Sequence, residues 1–556
     1  MSSRVPFGVG LLLSVAVPLV VPLAFPAVRA EFLPAARATF QLASSLPRAL
    51  FPEGISRIPA APYAAVSVAS EGEAPVAAPL ERIAPTAVAS LGANLGAPSP
   101  DPVKPDLANP EPADPERLEA EKFLGIVGKQ TEILVEPQPG ARVFGWARTG
   151  ALLRRAAEPV TKRGCADGWF RVEPEGYVCA GSKATLDLEH IALRAASREP
   201  DRSAILPYAY GQSRSPSPPF YRRLPSKPEQ AQIELDLTRH ATRALGAAWT
   251  EEAAGPPPAF LAQGAALPRL PGYARVGDQV SSGRAGARSA FAFLDLFDLD
   301  GRKFGLTTDL SLLPLDRVTK VEPSEFSGVT LSEQMSLPLA FARSHSAWVY
   351  DLEPSGRGLV PVRLAKYREA FALSGERRNF GGVRLVGTRG GNWLRESPTL
   401  VELPVAERLP KWAGRDTTWL SVSVLKQSLV VYRGDKPVYA TLVSTGVDGL
   451  GDPLETHSTV LGVYRIHTKH VTATMSGDEV DDAFDLRDIP YVQYFHEGYA
   501  LHAAFWHDGF GQPKSHGCIN LSPRDARILF HMTEPAVPNH WHGALSRAGS
   551  IIYIHR

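Results

Sequence analysis

From Phe123 onward the chain alternates apolar and polar residues in short runs cut by glycine and proline, and this period of two restricts the fold more than any other feature. The first such stretch, GIVGKQTEILVEPQPGARVFGWAR, places apolar residues at alternate positions between Gly and Pro turns. Successive side chains of a strand point to opposite faces, so these runs read as short antiparallel strands. GRKFGLTTDLSLLPLDRVTKVEP and VRLVGTRGGNWLRESPTLVEL keep the rhythm and read as barrel strands, whereas EQAQIELDLTRHATRALGAAW reads as a helix or two. A mainly β molecule is expected.

At 556 residues the chain exceeds one ordinary core, so two to four domains are expected. Its 59 Lys and Arg nearly cancel 58 Asp and Glu, which removes the electrostatic reason to expect a nucleic-acid or anionic-membrane partner. Residues 1–30 put one Arg before an uncharged apolar stretch and end on Val28-Arg29-Ala30, a small-residue pattern that a signal peptidase could cut. They read as a signal peptide or a retained membrane anchor, since Val5 to Val28 is about long enough to span a bilayer while Pro18, Pro22 and Pro26 weaken such a helix. Either way export is expected, to the periplasm or cell envelope. Residues 31–119 are dominated by Ala, Pro and Ser, cannot bury enough surface to fix themselves, and read as a disordered linker.

Residues 120–186, closing on GWFRVEPEGYVC, resemble the Src-homology-3-like domains of bacterial cell-envelope proteins. That resemblance implies a small β barrel, acting as an interaction module or as a spacer. Residues 187–411 are expected to form one or two further β-rich modules whose role the sequence does not name. From Trp412 the pattern sharpens: TTWLSVSVLKQSLVVYRGDKPVYATLVSTG reads as a three-stranded meander turning at Gly434-Asp435. GVYRIHTKHVTATM and GYALHAAFW add strands, SPRDARILFHM is a helix with Ser522 as N-cap and Pro523 at its first position, and SIIYIH is a closing buried strand. Residues 412–556 are thus expected to form a C-terminal domain.

Three cysteines in an exported chain leave one unpaired. Cys165 and Cys179 flank CADGWFRVEPEGYVC, which reads as two strands and a turn that return its ends to disulfide distance. Closing such a loop would contribute about 3 kcal/mol in the chain-entropy account; two unconnected buried thiols are the alternative. Cys518, in SHGCINLSP, is then the free thiol. A thiolate is the nucleophile, and it needs a basic group and peptide amides beside it. Gly517 permits a tight backbone that aims consecutive amides at one point, where an oxyanion could be held, and His502 at the end of a strand could return beside the thiol as general base.

The order His502, then Ser515-His516-Gly517-Cys518-Ile519-Asn520, preceded by a meander ending in VSTG and by a GVYRIH strand, resembles the L,D-transpeptidase (YkuD) catalytic domain over roughly residues 415 to 556. The resemblance implies a β sandwich with a short helix after the catalytic cysteine. It also implies Cys518 as nucleophile, His502 as base, the backbone carbonyl of Ala503 as the third element, and Ser515, His516 and Gly517 as substrate and oxyanion wall. Asn520 stands where many members have Arg and others Asn. The implied partners are peptidoglycan stem peptides, as acyl donor and amine acceptor, with a cell-wall protein as another possible acceptor. The implied reaction is attack of Cys518 on the bond between the diamino acid at position three and the terminal D-Ala, then transfer of the acyl group to an amine; water as acceptor would make a carboxypeptidase. No cofactor and no metal are implied.

The acidic run GDEVDDAFDLRD, 477–488, is expected to be a loop or hairpin over the site, either steering a cationic acceptor or simply solvated. Trp506, Tyr491 and Tyr499 could line the cleft or pack the core. A zinc site from His502, His507, His516 and Cys518, or from His540 and His542, lacks both HExxH and paired CxxC spacing. In papain-like or NlpC-type peptidases the cysteine precedes its histidine by many residues, and the 38 residues after Cys518 are too few for that. A wall-binding scaffold with a dead catalytic domain is the reading from another class.

Overall fold

The computed structural model describes residues 122–238, 249, 251–273, 279–356, 358–406, 408–414, 417–477 and 484–556. The expected signal segment and linker, 1–119, lie outside the described residues, as does most of the second half of EQAQIELDLTRHATRALGAAW. The first half is a helix, Lys227–Ile233, started by a capping box between Ser226 and Glu229. The rest of the described chain is mainly β, in sandwich-like sheets.

Residues 123–185 form two small sheets around Leu124, Ile126, Ile133, Leu153, Phe170 and Val178, and Cys165 and Cys179 are joined by a disulfide on one flank. Trp541, from near the C-terminus, inserts into this same core and donates its indole N–H to Glu173 O at 3.1 Å. Strand β1 (Val143–Ala147) leaves the module by pairing with a C-terminal strand described below. Two upstream strands matter for the site: β2 (Ala209–Ser213) and β3 (Ser289–Leu299), which pair antiparallel through Ala290↔Gln212 and Phe291↔Gly211. Residues 339–403 make a separate seven-stranded sheet that includes the expected strands of VRLVGTRGGNWLRESPTLVEL.

The C-terminal part opens with the expected meander, β4 (Thr418–Ser423), β5 (Ser428–Arg433) and β6 (Lys436–Leu442), and β13 (Ile551–His555) lies parallel to β4 with β7 (Gly462–Arg465) outside it. Facing this sheet is a second: β8 (Thr468–Gly477), β9 (Phe484–His496), β10 (Tyr499–Ala503) and β11 (Ile519–Leu521). Between the two lie Leu420, Val422, Leu429 and Val431 from one side and Leu501, Ala503, Ile519 and Leu521 from the other. Helix α1 (Pro523–Met532) closes the end, its first turn capped by Ser522 Oγ, which accepts the Asp525 N–H at 3.1 Å. Ala526, Leu529 and Phe530 turn its apolar side into the same core.

This second sheet does not stop at the expected boundary near residue 411. β12 (Gly543–Leu545) pairs with β8 on one side and with β1 on the other, through Gly145↔Ala544 and Trp146↔Gly543. β9 continues along the start of β3 in parallel, Ser289↔Asp485 and Ala290↔Leu486. Residues 484–488, expected in a loop or hairpin, are strand, paired antiparallel with the end of β8 through Ser476↔Asp485 and Gly477↔Phe484 as a hairpin requires. The remainder of the acidic run, with Asp478, Glu479, Asp481 and Asp482, lies outside the described residues.

The junction is held by charge as well as by backbone pairing. Arg148 donates both Nη1 and Nη2 to the carboxylate of Asp488, the latter at 3.0 Å, and Thr472 Oγ1 donates to it at 2.7 Å; Thr308 Oγ1 donates to it as well. Nearby, Asp309 accepts from Lys129 and, at 2.6 Å, from Arg487. Asp488 is thus a buried structural anion rather than part of a solvated acidic surface, and Asp485 pairs with Arg487 at 2.9 Å.

Candidate active site

Strands β10 and β11 run side by side in parallel, with Leu501↔Ile519, His502↔Asn520 and Ala503↔Leu521 in register. Side chains alternate across a sheet, and the odd-numbered members of these pairs face the core described above. His502 and Asn520 must then face the other way, together with Cys518 one step before β11. His502 and Cys518 are diagonal neighbours on one face of one sheet. The strand pairing that β-alternation encodes is what brings together two residues sixteen positions apart.

The imidazole of His502 has a fixed polarity. Its Nδ1 lies 3.2 Å from the carbonyl oxygen of Ala503, which can only accept, so the ring proton sits on Nδ1 and the lone pair on Nε2. The ring is 3 % exposed, and Trp506 stacks against it with centroids 5.7 Å apart. Burial pushes this imidazole down to about 4, against the pull of the Ala503 carbonyl. Burial pushes the Cys518 thiol up to about 11, with the Ala500 N–H favouring the thiolate. Sγ also lies 3.8 Å from Gly498 O. At neutral pH the pair is therefore a thiol beside a neutral imidazole, and a proton moving to His502 Nε2 must accompany attack by sulfur on an electrophile rather than precede it.

The turn carrying Cys518 is tied at several points. Ser515 Oγ accepts the Gly517 N–H at 3.1 Å and donates to Cys518 O, and Thr459 Oγ1 donates to Gly517 O at 2.7 Å. Gly517 has φ +116°, and a Cβ there would lie 2.7 Å from the Tyr499 ring, so only glycine fits. Its amide is already donated to Ser515, so in this geometry its part is conformational. His516 is exposed at the mouth of the cleft and packs edge-on to His457 at 4.6 Å.

His507, weighed in the sequence only as a metal ligand, instead orients Asn520. Its Nδ1 accepts the Gly509 N–H at 3.1 Å, and burial pushes the ring down to about 4, so the neutral ring carries its proton on Nε2. The atom 3.0 Å from that Nε2 is Asn520 Nδ2, and since two N–H groups cannot share a hydrogen bond, the two ends of the amide are to be exchanged so that its oxygen accepts from Nε2. Once the two ends are exchanged, the NH₂ takes the place of Oδ1, the amide atom without a hydrogen-bond partner among the described residues, although the side chain is 2 % exposed and borders the cleft. A buried unpaired donor beside a cavity-lining thiol is a place for a ligand oxygen. The loop bearing His507 is clamped by the seven-stranded sheet, through Arg368 to Asp508 at 2.7 Å and Arg343 to Gly511 O.

His502, Ser515, His516, Cys518 and Asn520 all border one cavity of about 360 Å³. Met475, Phe484, Leu486, Ile489 and Trp506 make its apolar side, and Lys514 lies at the rim. The remaining wall comes from upstream strands β2 and β3 with the turn before β3: Gln212, Ser213 and residues 287–290. Nothing in SSGRAGARSA marks it as part of a site, because its position follows from the parallel pairing of β3 with β9. Of the three aromatics considered for the cleft, Trp506 lines it, and Tyr499 packs against the Gly517 turn. Tyr491 does not: it is fully buried and donates its hydroxyl to Ala204 O, so core packing accounts for it. His542 is buried with Nε2 2.8 Å from Thr472 O, and His540 pairs with Glu199 at 3.2 Å, both away from the cleft.

Residues 417–555 match the family model of YkuD, the L,D-transpeptidase catalytic domain. No curated protein matches the chain. Among solved structures, a cysteine-to-serine variant of Enterococcus faecium L,D-transpeptidase is 21 % identical, over 25 % of this chain and 49 % of that one, with a TM-score of 0.19. The catalytic domain of the E. faecium enzyme is 21 % identical over 25 % of this chain and 97 % of its own, with a TM-score of 0.20. An L,D-transpeptidase from Mycobacterium smegmatis is 18 % identical over 43 % of this chain and 89 % of that one, also with a TM-score of 0.20. The chain spans about half the length of the solved structures first matched. Likenesses of this size carry no functional information by themselves, and the family match leaves residues 120–186 uncovered. The quarter of the chain that holds the Cys518–His502 face, residues 417–555, is a YkuD L,D-transpeptidase catalytic domain.

Proposed function

We propose that this protein is an exported, cysteine-dependent L,D-transpeptidase acting on peptidoglycan stem peptides. Cys518 attacks the carbonyl between the diamino acid at position three and the terminal D-Ala, and its proton passes to His502 Nε2. The imidazolium then protonates the departing D-Ala amine, leaving a thioester on Cys518. An amine of a second stem, or of a cell-wall protein, attacks the thioester, and His502 accepts its proton as the thiol is restored. The energy of the broken peptide bond drives the transfer, so the scheme needs no nucleotide.

The observation that carries this reading is the placement of Cys518 and His502 on one face of adjacent strands, with the His502 proton held on Nδ1 by Ala503 O and both groups opening to one cavity. The water-accepting alternative, an L,D-carboxypeptidase, uses the same first step. The test is incubation of the full chain with a defined tetrapeptide stem, read by mass spectrometry, beside Cys518→Ala. D-Ala release with a crosslinked or amine-adducted product is expected; free tripeptide alone would assign the carboxypeptidase, and no D-Ala release would overturn the reading.

A further inference from the structure

We propose that Arg368, in the seven-stranded sheet, is a positioning residue for the thiol site: through Asp508 it fixes the loop that carries His507, and so keeps the Asn520 NH₂ turned toward a ligand oxygen beside Cys518. Four contacts make the path. Arg368 Nη2 donates to Asp508 Oδ2 at 2.7 Å, and Nη1 donates to Asp508 O at 3.2 Å. Gly509, next in the chain, donates its N–H to His507 Nδ1 at 3.1 Å, which leaves the His507 proton on Nε2. That proton goes to the Asn520 oxygen once the amide ends are exchanged, and the NH₂ then takes the unpartnered place beside the cavity.

Arg368 is itself tightly placed. Its backbone N–H is donated to Ala342 O at 2.7 Å, and its guanidinium lies 4.5 Å from the ring centroids of both Phe326 and Tyr367. Its φ of +61° falls in the left-handed region, which is costly for a residue with a Cβ and persists where surrounding contacts offset the strain. Ser324 Oγ donates to the other oxygen of Asp508, so two upstream segments grip that carboxylate. The same loop is fastened to the C-terminal domain by Ser444 Oγ, which donates to Gly509 O at 3.2 Å, and by the Gly511 N–H, which donates to Val443 O at 2.8 Å. Charge acts in the same direction as geometry: Asp508 favours a second proton on His507, and Arg368 disfavours it. A protonated His507 would carry an N–H on Nδ1 and lose the Gly509 contact that orients it. Arg368 and Ser324 precede residue 417, so the support for this corner of the cavity comes from a part of the chain outside the family match.

The identity of the ligand rests on the proposed reaction, in which the oxygen held would be a carbonyl of the stem peptide; the positioning itself is tested without that reaction. Cys518 is the free thiol, and its alkylation on the full chain is followed by mass spectrometry with two reagents. Iodoacetamide brings a carbonyl oxygen, whereas iodoethane reacts by the same displacement and brings none. Asn520→Ala is expected to lower the iodoacetamide-to-iodoethane rate ratio about two- to tenfold, the range of one hydrogen bond. Arg368→Ala and Asp508→Asn should each lower it at least about twofold, and Arg368→Lys, which keeps a cation for Asp508, should recover most of it. In the Asn520→Ala background, Arg368→Ala should change the ratio no further, because it acts through that amide. A wild-type ratio in both Arg368→Ala and Asp508→Asn overturns the proposal, as does an equal further fall on top of Asn520→Ala. Melting midpoints show which variants are folded; if Arg368→Ala is not, Asp508→Asn decides, since the Asp508 side chain is 57 % exposed. If wild type releases no D-Ala while the ratios follow this pattern, the proposed reaction fails and the positioning stands. If D-Ala is released and the ratios do not move, the positioning fails and the reaction stands.

Discussion

Replacing Asp488 by Asn should destabilise the whole described unit, and the size of the effect follows from what surrounds that carboxylate. It is buried and accepts from both Nη1 and Nη2 of Arg148, from Thr308 and from Thr472, while Tyr210 donates to its backbone carbonyl at 2.6 Å. Asn is isosteric but neutral, and its NH₂ would face donors. Arg148, only 11 % exposed, would be left as a buried cation without its counter-ion. Removing one partner of a buried pair costs about 3–5 kcal/mol, a large part of the 5–15 kcal/mol that a domain typically has. The assay is urea unfolding of the full chain for Asp488→Asn, Arg148→Met and the double variant. Each single change should lower stability by about 3 kcal/mol or more, and the double should fall short of their sum by about 2 kcal/mol. Additivity within about 0.5 kcal/mol would refute the reasoning, because it would mean that the two groups do not depend on each other. The pH dependence has a definite sign. Burial pushes the Asp488 carboxyl up, but the Arg148 charge and the hydrogen bonds from Arg148, Thr308 and Thr472 outweigh it and hold the group well below the usual carboxylate range. The stabilisation is therefore fully present above the unfolded value of about 4 and is lost as pH falls through the depressed folded value. Because Leu486 and Ile489 on the same strand border the cavity, the Asp488 variant should also slow Cys518 alkylation or broaden its rate distribution.

Alkylation of wild-type Cys518 by neutral iodoacetamide should rise about tenfold per pH unit between pH 7 and 9 without a plateau, since a thiol pushed up to about 11 is ionised in about one molecule in a thousand at pH 8. His502, down to about 4, and Tyr494, up to about 12, titrate outside that window, and a plateau below pH 7 would show an ion pair in place of the neutral one. Gly517→Ala must accommodate φ +116° and a methyl group 2.7 Å from the Tyr499 ring, a local cost of about 1–3 kcal/mol. D-Ala release should fall more than tenfold while the melting midpoint drops by only a few degrees, and retained wild-type turnover would remove the turn from the mechanism.

Several parts of the site were legible before the fold because they depend on near neighbours. The meander from Thr418 to Leu442 follows from alternation and the Gly434 turn. Helix α1 starts where Ser522 and Pro523 say it should, and Gly517 marks a backbone conformation that other residues reach only with strain. The resemblance carried by SHGC and the upstream His located the domain that the family match then covered. Tyr491, open in the sequence between cleft and core, and Asp488, within an acidic run read as solvated or steering, needed the fold for the same reason. An aromatic near a cleft motif and an acid in an acidic run look alike whether buried or exposed, and only the partner across the fold, Ala204 for one and Arg148 for the other, distinguishes them.

The sequence by itself determined the strand and helix types, the free thiol proposed as nucleophile and the glycine turn that presents it, because strand period, caps and positive-φ turns are local properties of a few consecutive residues. Tertiary structure alone decided that β1 and β3 extend the sheet carrying Cys518 and His502, that Trp541 completes the core of the N-terminal module, and that residues 287–290 help to line the cleft. A period of two says which face of a strand is apolar but not which strand lies beside it. Pairings between residues nearly two hundred or more positions apart are set by the packing of whole sheets, and the far wall of this cleft is built from such pairings.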